Sequence, residues 1–121
     1  MAYDDKLAAR IRKTLSEIEN LIVEEKRMFR GIAFMVNGKM CLNVSNDELM
    51  CRINPDLQED LAARNGCRPV IMRGKPAKGY IYVSQDVLEI QKDYDFWINL
   101  CLEFNRIAKP SKKKKLLKGR L

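Results

Sequence analysis

A short stretch near the middle of the chain combines residue types that bind anions. It contains four cations and two glycines: Arg68, Arg73, Lys75, Lys78, Gly74 and Gly79. Glycines allow backbone N–H groups to approach an anion closely, so we consider an anion or small-molecule site at residues 73–78. A P-loop is excluded, because seven residues separate Gly66 from Gly74 and Pro76 replaces the required Ser or Thr. The alternative is an ordinary exposed hairpin loop.

Two further basic clusters are candidate contacts to nucleic acid. They are Lys26, Arg27 and Arg30, and Lys112, Lys113, Lys114 and Lys115 near the C-terminus. Cations of this kind displace counterions from nucleic acid and bind it weakly, without sequence preference. The alternatives are a solvated helix–strand junction for the first cluster, where Glu24 and Glu25 balance the charge, and a solubilising extension for the second.

The remaining residue types argue against catalysis. The sequence has no histidine, which excludes Ser-His-Asp and Cys-His nucleophile systems and every zinc site that needs a His ligand. The four cysteines stand far apart: Cys41, Cys51, Cys67 and Cys101. We predict that they are reduced and pack as small hydrophobic residues, with a disulfide pair as the alternative. Neighbouring carboxylates lie on predicted solvated faces, so we expect no enzyme, no cofactor and no metal site.

The aromatic residues favour core packing over base stacking, because most of them lie on the apolar faces of predicted elements. Tyr80 and Tyr82 share one face of a predicted strand beside Lys78. They are the one pair that fits a platform for stacked bases.

The net charge of +7 belongs to one end of the chain. Seven cations follow residue 108 and no acid follows Glu103, so residues 1–108 hold 16 cations and 16 anions. We therefore predict a neutral domain over residues 1–108 and a basic, disordered tail over residues 109–121. No apolar run approaches the length of a membrane span, and the first residues do not resemble a signal peptide. We expect a cytoplasmic protein with no membrane partner.

Hydrophobic periodicity predicts three main helices, over residues 4–24, 55–64 and 93–108. The first carries a single apolar stripe: Leu7, Ile11, Leu15, Ile18 and Ile22. The last is expected to bury Trp97, Leu100, Cys101, Phe104 and Ile107. Asp4, Asn54 and Asp93 are the expected N-caps, and Gly66 is expected to end the second helix in the left-handed conformation.

Five strands are predicted, over residues 28–36, 39–44, 48–53, 68–72 and 80–83. Asn37-Gly38 predicts a type I′ hairpin, because that turn needs φ > 0 at both positions. Residues 73–79 are predicted to form a loop, and residues 84–91 an irregular helical turn. The element order α-β3-α-β2-α predicts a two-layer α+β fold, in which helices cover one face of an antiparallel sheet.

Three segments of the chain and one tryptophan resemble the TfoX N-terminal domain family. Residues 27–40 resemble its Met-Phe-Gly-Gly segment, the apolar strand that follows and the turn ending in Gly-Lys-Met. Residues 45–52 resemble its next strand, and residues 74–83 its late Gly-Arg-Pro-Met-x-Gly-Tyr segment. Trp97 lies where the last helix of the family commonly has tryptophan. Arg30 departs from the pattern, because it replaces the first of the two glycines.

This resemblance covers residues 5–108 and implies a secretion-chaperone-like fold with a five-stranded sheet. It also implies a role like that of the TfoX/Sxy regulators of bacterial competence, which act with a transcription activator, and it supplies no catalytic residues. We expect a single-domain member of the family.

The leading hypothesis is therefore a non-enzymatic regulatory or protein-interaction module, linked to transcription of competence-type genes. We expect a homodimer, formed through a sheet edge or the first helix, and a protein partner of the transcription-factor class. One alternative is a nucleic-acid accessory protein that uses the basic tail. A second alternative is anion or small-molecule binding at residues 73–78.

Overall fold

The computed structural model of the protein describes residues 4–28 and 31–108. In chain order its elements are α1 (Asp5–Ser16), β1 (Val23–Met28), β2 (Gly31–Val36), β3 (Lys39–Val44), β4 (Glu48–Arg52), a 3₁₀ turn (Pro55–Leu57), α2 (Gln58–Ala62), β5 (Cys67–Met72), β6 (Lys75–Ser84), α3 (Gln85–Leu88) and α4 (Gln91–Asn105). The six strands form one antiparallel sheet in the order β1-β2-β3-β4-β6-β5. The predicted α+β class is confirmed, with one strand more than predicted.

The additional strand, β1, lies mainly between the predicted first helix and the predicted first strand. Asp4 caps α1 as predicted, since its carboxylate accepts from the N–H groups of Lys6 and Leu7 at 2.9 and 3.1 Å. The helix nevertheless ends at Ser16, and Asn20 turns the chain with φ 67°. The prediction of a helix to residue 24 is wrong, because residues 23–28 pair with β2 and satisfy the backbone groups along its edge.

The hairpins that join β2 to β3 and β5 to β6 use left-handed pairs of residues. Asn37 and Gly38 have φ 53° and 83°, which confirms the predicted type I′ geometry. Arg73 and Gly74 adopt nearly the same angles, 54° and 78°, directly between β5 and β6. The predicted loop over residues 73–79 is therefore wrong beyond its first two residues: β6 begins at Lys75, which pairs with Met72.

The helix ends follow the predicted chemistry in part. The Asn54 side chain accepts from the N–H of Asp56 as predicted, and Gly66 has a left-handed φ of 79°. The prediction that Gly66 ends the second helix is wrong, because α2 ends at Ala62 with Ala63 as its C-cap. The prediction of Asp93 as the last N-cap is wrong, because α4 begins at Gln91 with Ile90 as its N-cap. The prediction that Ile107 is buried is also wrong, since α4 ends at Asn105 and leaves Ile107 70% exposed.

The helices pack on one face of the sheet, as predicted. The main core joins Leu7, Ile11 and Leu15 of α1 and Trp97 of α4 to the sheet side chains around Phe34. The opposite face, which we call the helix-free face, has a smaller apolar cluster drawn from strands alone: Ala33, Met35, Met40, Met50 and Val70. The sheet therefore has a core on each side, of which helices cover one.

Candidate functional site

The first predicted basic cluster lies on strand β1, at the edge of the sheet. Lys26 pairs with Ala33 of β2, so its side chain lies on the helix-free face, and Arg27 lies on the opposite face. Both are exposed. They occupy a paired edge strand instead of the predicted helix–strand junction, because the helix ends earlier than expected. Arg30 lies outside the described residues.

The backbone of β1 leaves a regular row of groups directed away from the sheet. The Ile22 carbonyl accepts from the N–H of Asn37 at 2.8 Å, so the backbone groups of Ile22 point toward the end of β2. In an antiparallel pair, the backbone N–H and C=O groups of successive residues point alternately toward the partner strand and away from it. Val23, Glu25 and Arg27 therefore direct their N–H and C=O groups outward, where an additional strand can bond to them.

Apolar side chains flank this row at both ends. Ile22 is 71% exposed and Met28 is 36% exposed, although both are large hydrophobic residues. Glu24 and Lys26 lie between them on the same face, two residues apart. The outer side of β1 therefore offers backbone hydrogen bonds, two apolar contacts and a pair of opposite charges.

A salt bridge ties the centre of β1 to the first helix. The Glu25 carboxylate accepts from Nε and Nη2 of Arg12 at 2.6 and 2.7 Å. These hydrogen bonds lower the pKa of Glu25 against the opposing effect of partial burial. The charge of Glu25 is thus compensated within its own chain.

The opposite edge of the sheet, β5, is built differently. The N–H of Ser84 donates to the Gly66 carbonyl at 2.8 Å, and the alternation from that bond directs the nitrogens of Cys67 and Pro69 outward. Cys67 donates its N–H to the Arg64 carbonyl, and Pro69 has no N–H to donate. A register shift follows between Pro69 and Ile71. This edge is therefore poorly suited to accept another strand.

The predicted anion-binding residues at 73–78 are divided between a turn and a strand. Arg73 and Gly74 form the hairpin turn, while Lys75 and Lys78 lie on β6, and all four are exposed. The N–H of Gly79 donates to the side-chain oxygen of Gln58 on α2. That donor is therefore engaged within the chain, and anion binding at this segment stays a prediction.

Arg68, the remaining member of this cluster, is bound to a carboxylate. Its Nε and Nη2 donate to Glu48 at 2.8 and 2.6 Å, and its guanidinium lies 4.4 Å from the ring centre of Tyr82. Tyr82 and its neighbour Tyr80 are half-buried and pack against the helix-free cluster, with Arg52 5.9 Å from the Tyr80 ring. Both tyrosines thus have packing partners in the fold.

The polar groups that line one open cleft also serve the fold. The cleft has a volume of about 630 Å³ and lies beside the end of α4. Four asparagines line it: Asn20, Asn37, Asn99 and Asn105. The Asn37 side chain accepts from the N–H of Ile22, and the Asn105 amide donates to the Val36 carbonyl. These bonds hold the chain at the ends of strands and do not converge on a reacting position.

No three His, Cys, Asp or Glu side chains of residues 4–28 and 31–108 come together as a metal site. Burial raises the pKa of the Cys41 and Cys101 thiols, so both are protonated and unreactive near neutral pH. Across the same residues, every helix is too short or too polar to traverse a lipid bilayer.

The family model for the TfoX N-terminal domain matches residues 13–105, which is most of the chain and includes both sheet edges. The chain belongs to the TfoX N-terminal domain family. This family is related to competence and regulation, and it is not known as enzymatic. No curated protein sequence and no solved structure matches the chain significantly.

The structure of this TfoX N-terminal domain also locates a feature that the sequence analysis missed. The strand Val23–Met28 overlaps the predicted helix at Val23 and Glu24 and the predicted first strand at Met28, and the residues between them had no assignment. Residues 24–27 are all charged, so no alternation of polar and apolar residues marks them as a strand. The tail cations Lys112, Lys113, Lys114 and Lys115 lie outside the described residues, and their contact with nucleic acid stays a prediction.

Proposed function

We propose that this TfoX N-terminal domain is a non-enzymatic regulatory module that binds a protein partner by adding a strand to β1. The regulatory setting is supported by the family, whose members are related to competence and regulation. The mode of binding is supported by one observation, the row of outward backbone groups on Val23, Glu25 and Arg27. Strand addition obtains affinity from main-chain hydrogen bonds and specificity from alternate side chains.

The contrast between the two edge strands supports this proposal. An exposed edge strand is an aggregation hazard that proteins commonly block with charged side chains, proline, bulges or a covering element. β5 carries a proline and a register shift, whereas β1 carries charged side chains but has six paired residues without proline or a register shift. An edge left open beside a protected edge in the same sheet is suited to a specific partner.

The proposal is tested by replacing an outward N–H while preserving the inward ones. Arg27→Pro removes a donor that faces away from β2, so the fold is expected to persist, because proline is tolerated where the N–H faces solvent. The full chain and this variant are used as baits in an extract of the source cells, with captured proteins quantified by mass spectrometry. We expect the variant to lose its specific partner.

Arg27→Ala is the matched control, because it removes the same side chain but retains the N–H. We expect the alanine variant to keep most of the captured partner. Equal capture by the proline variant, with a native circular dichroism spectrum, would show that the β1 edge is not the binding site. Equal loss by both variants would assign the binding to the arginine side chain and overturn strand addition.

A further inference from the structure

We infer that the strand added to β1 is β1 of a second copy of this chain, in antiparallel register about a twofold axis at Glu25. This inference rests on the proposed function, because it names the partner of the same edge. A twofold axis brings the same strand of both copies together, so the backbone groups and side chains of β1 must match those of a second, antiparallel β1. The sequence of β1 can be tested directly against that requirement.

Hydrogen-bond geometry restricts the possible registers. Val23, Glu25 and Arg27 face outward, and in an antiparallel ladder an outward-facing residue must oppose another outward-facing residue. With the axis at Glu25, the two copies of Glu25 oppose each other, and Val23 of each copy opposes Arg27 of the other. Each of these three pairs exchanges two N–H···O bonds, and the two six-stranded sheets become continuous.

The side chains on the helix-free face match in the same register. Glu24 of each copy opposes Lys26 of the other, which forms two cross-strand pairs of opposite charge. Ile22 of each copy opposes Met28 of the other, which covers two large hydrophobic residues that are 71% and 36% exposed in one chain. Cross-strand pairs of these kinds stabilise antiparallel sheets.

The neighbouring registers are less favourable. An axis at Lys26 places two lysines directly opposite each other, and an axis at Glu24 does the same with two glutamates. An axis at Glu25 also opposes like charges, but each Glu25 is already bonded to Arg12 of its own chain at 2.6 and 2.7 Å. Two guanidinium groups therefore accompany the two carboxylates and neutralise their charge, so the two copies of Glu25 repel each other less than two unpaired carboxylates would.

Disulfide cross-linking measures the register. Glu25→Cys is made in a Cys67→Ser background, because Cys67 is the one cysteine of the described residues that is not fully buried. In the inferred register the two Cα atoms at position 25 are about 5.5 Å apart, which suits a disulfide. We expect mild oxidation of dilute protein to give a covalent dimer within minutes.

Lys26→Cys in the same background is the matched control. Its two copies are offset by two residues in the inferred register, at about 7–8 Å, where disulfides form poorly. We expect at least about tenfold slower cross-linking than at position 25. Faster cross-linking at position 26 than at position 25 would overturn the Glu25 register.

Charge reversal tests the same pairs without new cysteines. Glu24→Lys alone and Lys26→Glu alone each convert two attractive pairs into two repulsive pairs, so each is expected to raise the dimer Kd about tenfold or more in sedimentation equilibrium. The double variant restores opposite charges and is expected to return the Kd close to that of the unmodified chain. A double variant no better than either single one would overturn the pairing of Glu24 with Lys26.

The oligomeric state separates failure of this inference from failure of the proposed function. A monomer at all concentrations, combined with partner capture that Arg27→Pro abolishes, would overturn the second copy and retain strand addition by another protein. A monomer without any capture that depends on β1 would overturn both. A dimer that survives Arg27→Pro would place the contact elsewhere and overturn the inference.

Discussion

The two edges of this sheet differ in what they offer to a neighbouring chain. β1 presents outward N–H groups at Val23, Glu25 and Arg27, with exposed apolar residues at both ends. On β5, the first two outward positions are Cys67, whose N–H is already bonded, and Pro69, which has none. One sheet therefore has a protected edge and an open edge, and we propose that this asymmetry directs association to one side.

Each edge is also tied to the fold by one arginine–glutamate pair. Arg12 of α1 binds Glu25 at the β1 edge, and Arg68 of β5 binds Glu48 of β4. The first pair joins a helix to the edge strand, while the second joins strands across the face of the sheet. Both edge strands form an arginine–glutamate salt bridge, so the edges differ in their outward backbone hydrogen-bonding groups.

Gly31→Ala is expected to have the largest effect, because it disrupts the packing of β2 against β3. A Cβ atom at Gly31 would overlap the backbone oxygen of Val44 and lie 2.7 Å from the Asn43 side-chain oxygen. The Val44 backbone cannot move aside as a flexible side chain can, so we expect a loss of about 3 kcal/mol in the free energy of unfolding. Urea denaturation followed by circular dichroism measures it.

Gly38→Ala is the control for this substitution. Gly38 has φ 83°, and a Cβ atom added there would meet open space. Its cost is therefore that of the left-handed backbone alone, about 1 kcal/mol. Equal destabilisation by the two variants would contradict the steric explanation for Gly31.

Lys26→Pro tests whether the two sides of β1 differ as the alternation indicates. Lys26 directs its N–H toward β2, so proline leaves a carbonyl of β2 without its donor and is expected to cost about 2 kcal/mol. Arg27→Pro, one residue later, is expected to cost less than half as much. Thermal unfolding of both variants at one protein concentration measures the two losses of stability. A larger loss for Arg27→Pro than for Lys26→Pro would show that Lys26, and not Arg27, directs its N–H outward.

Pro69→Ala sharpens the comparison from the protected edge. It restores an N–H that faces outward from β5, and it is expected to cost about 0.5 kcal/mol because the unfolded chain gains freedom. We also expect association beyond the dimer in sedimentation velocity, since both edges are then able to accept a strand. An unchanged distribution of species would show that the register shift alone protects this edge.

The Arg12–Glu25 pair predicts a small dependence of stability on pH. The pKa of Glu25 is lowered in the folded chain, so the pair stabilises the fold fully above the ordinary glutamate value of 4.5. That contribution is lost as the pH falls through the lower folded pKa. Because both side chains are partly solvated, we expect only a few tenths of a kcal/mol.

Arg12→Gln is the test of this pH dependence. Carboxyl NMR titration of the variant is expected to show the Glu25 pKa moving up toward its usual range. An unshifted titration would mean that Arg12 does not hold the carboxylate.

Much of the fold was predictable because its signals are local. Asn37-Gly38 has the residues that a type I′ turn requires, and Asp4 and Asn54 have side chains that cap a helix start. Apolar spacing identified the buried face of α1 as far as Leu15. These features depend on residues within a few positions of one another, so the sequence contains the information.

The errors occurred where distant contacts overrode local preference. Residues 17–24 continue an apolar helical stripe, but Ile18 and Ile22 are exposed, and from Val23 onward the chain pairs with β2. Residues 75–79 are rich in Gly, Pro and Lys, yet they belong to β6, where Gln58 of α2 bonds to Ala77 and Gly79. Neither the free edge of β2 nor the position of Gln58 is visible along the chain.

The basic clusters show the same division for function. The sequence by itself determined the charge balance of residues 1–108, the lack of histidine, the turn residues and the family motifs, because composition and short spacings carry them. Only the tertiary structure decided that Lys26 and Arg27 lie on an open edge, that Arg68 is bound by Glu48, and that Pro69 faces outward. Sheet order and hydrogen-bond alternation are properties of paired strands, so a strand's outer side is defined only after its neighbours are in place.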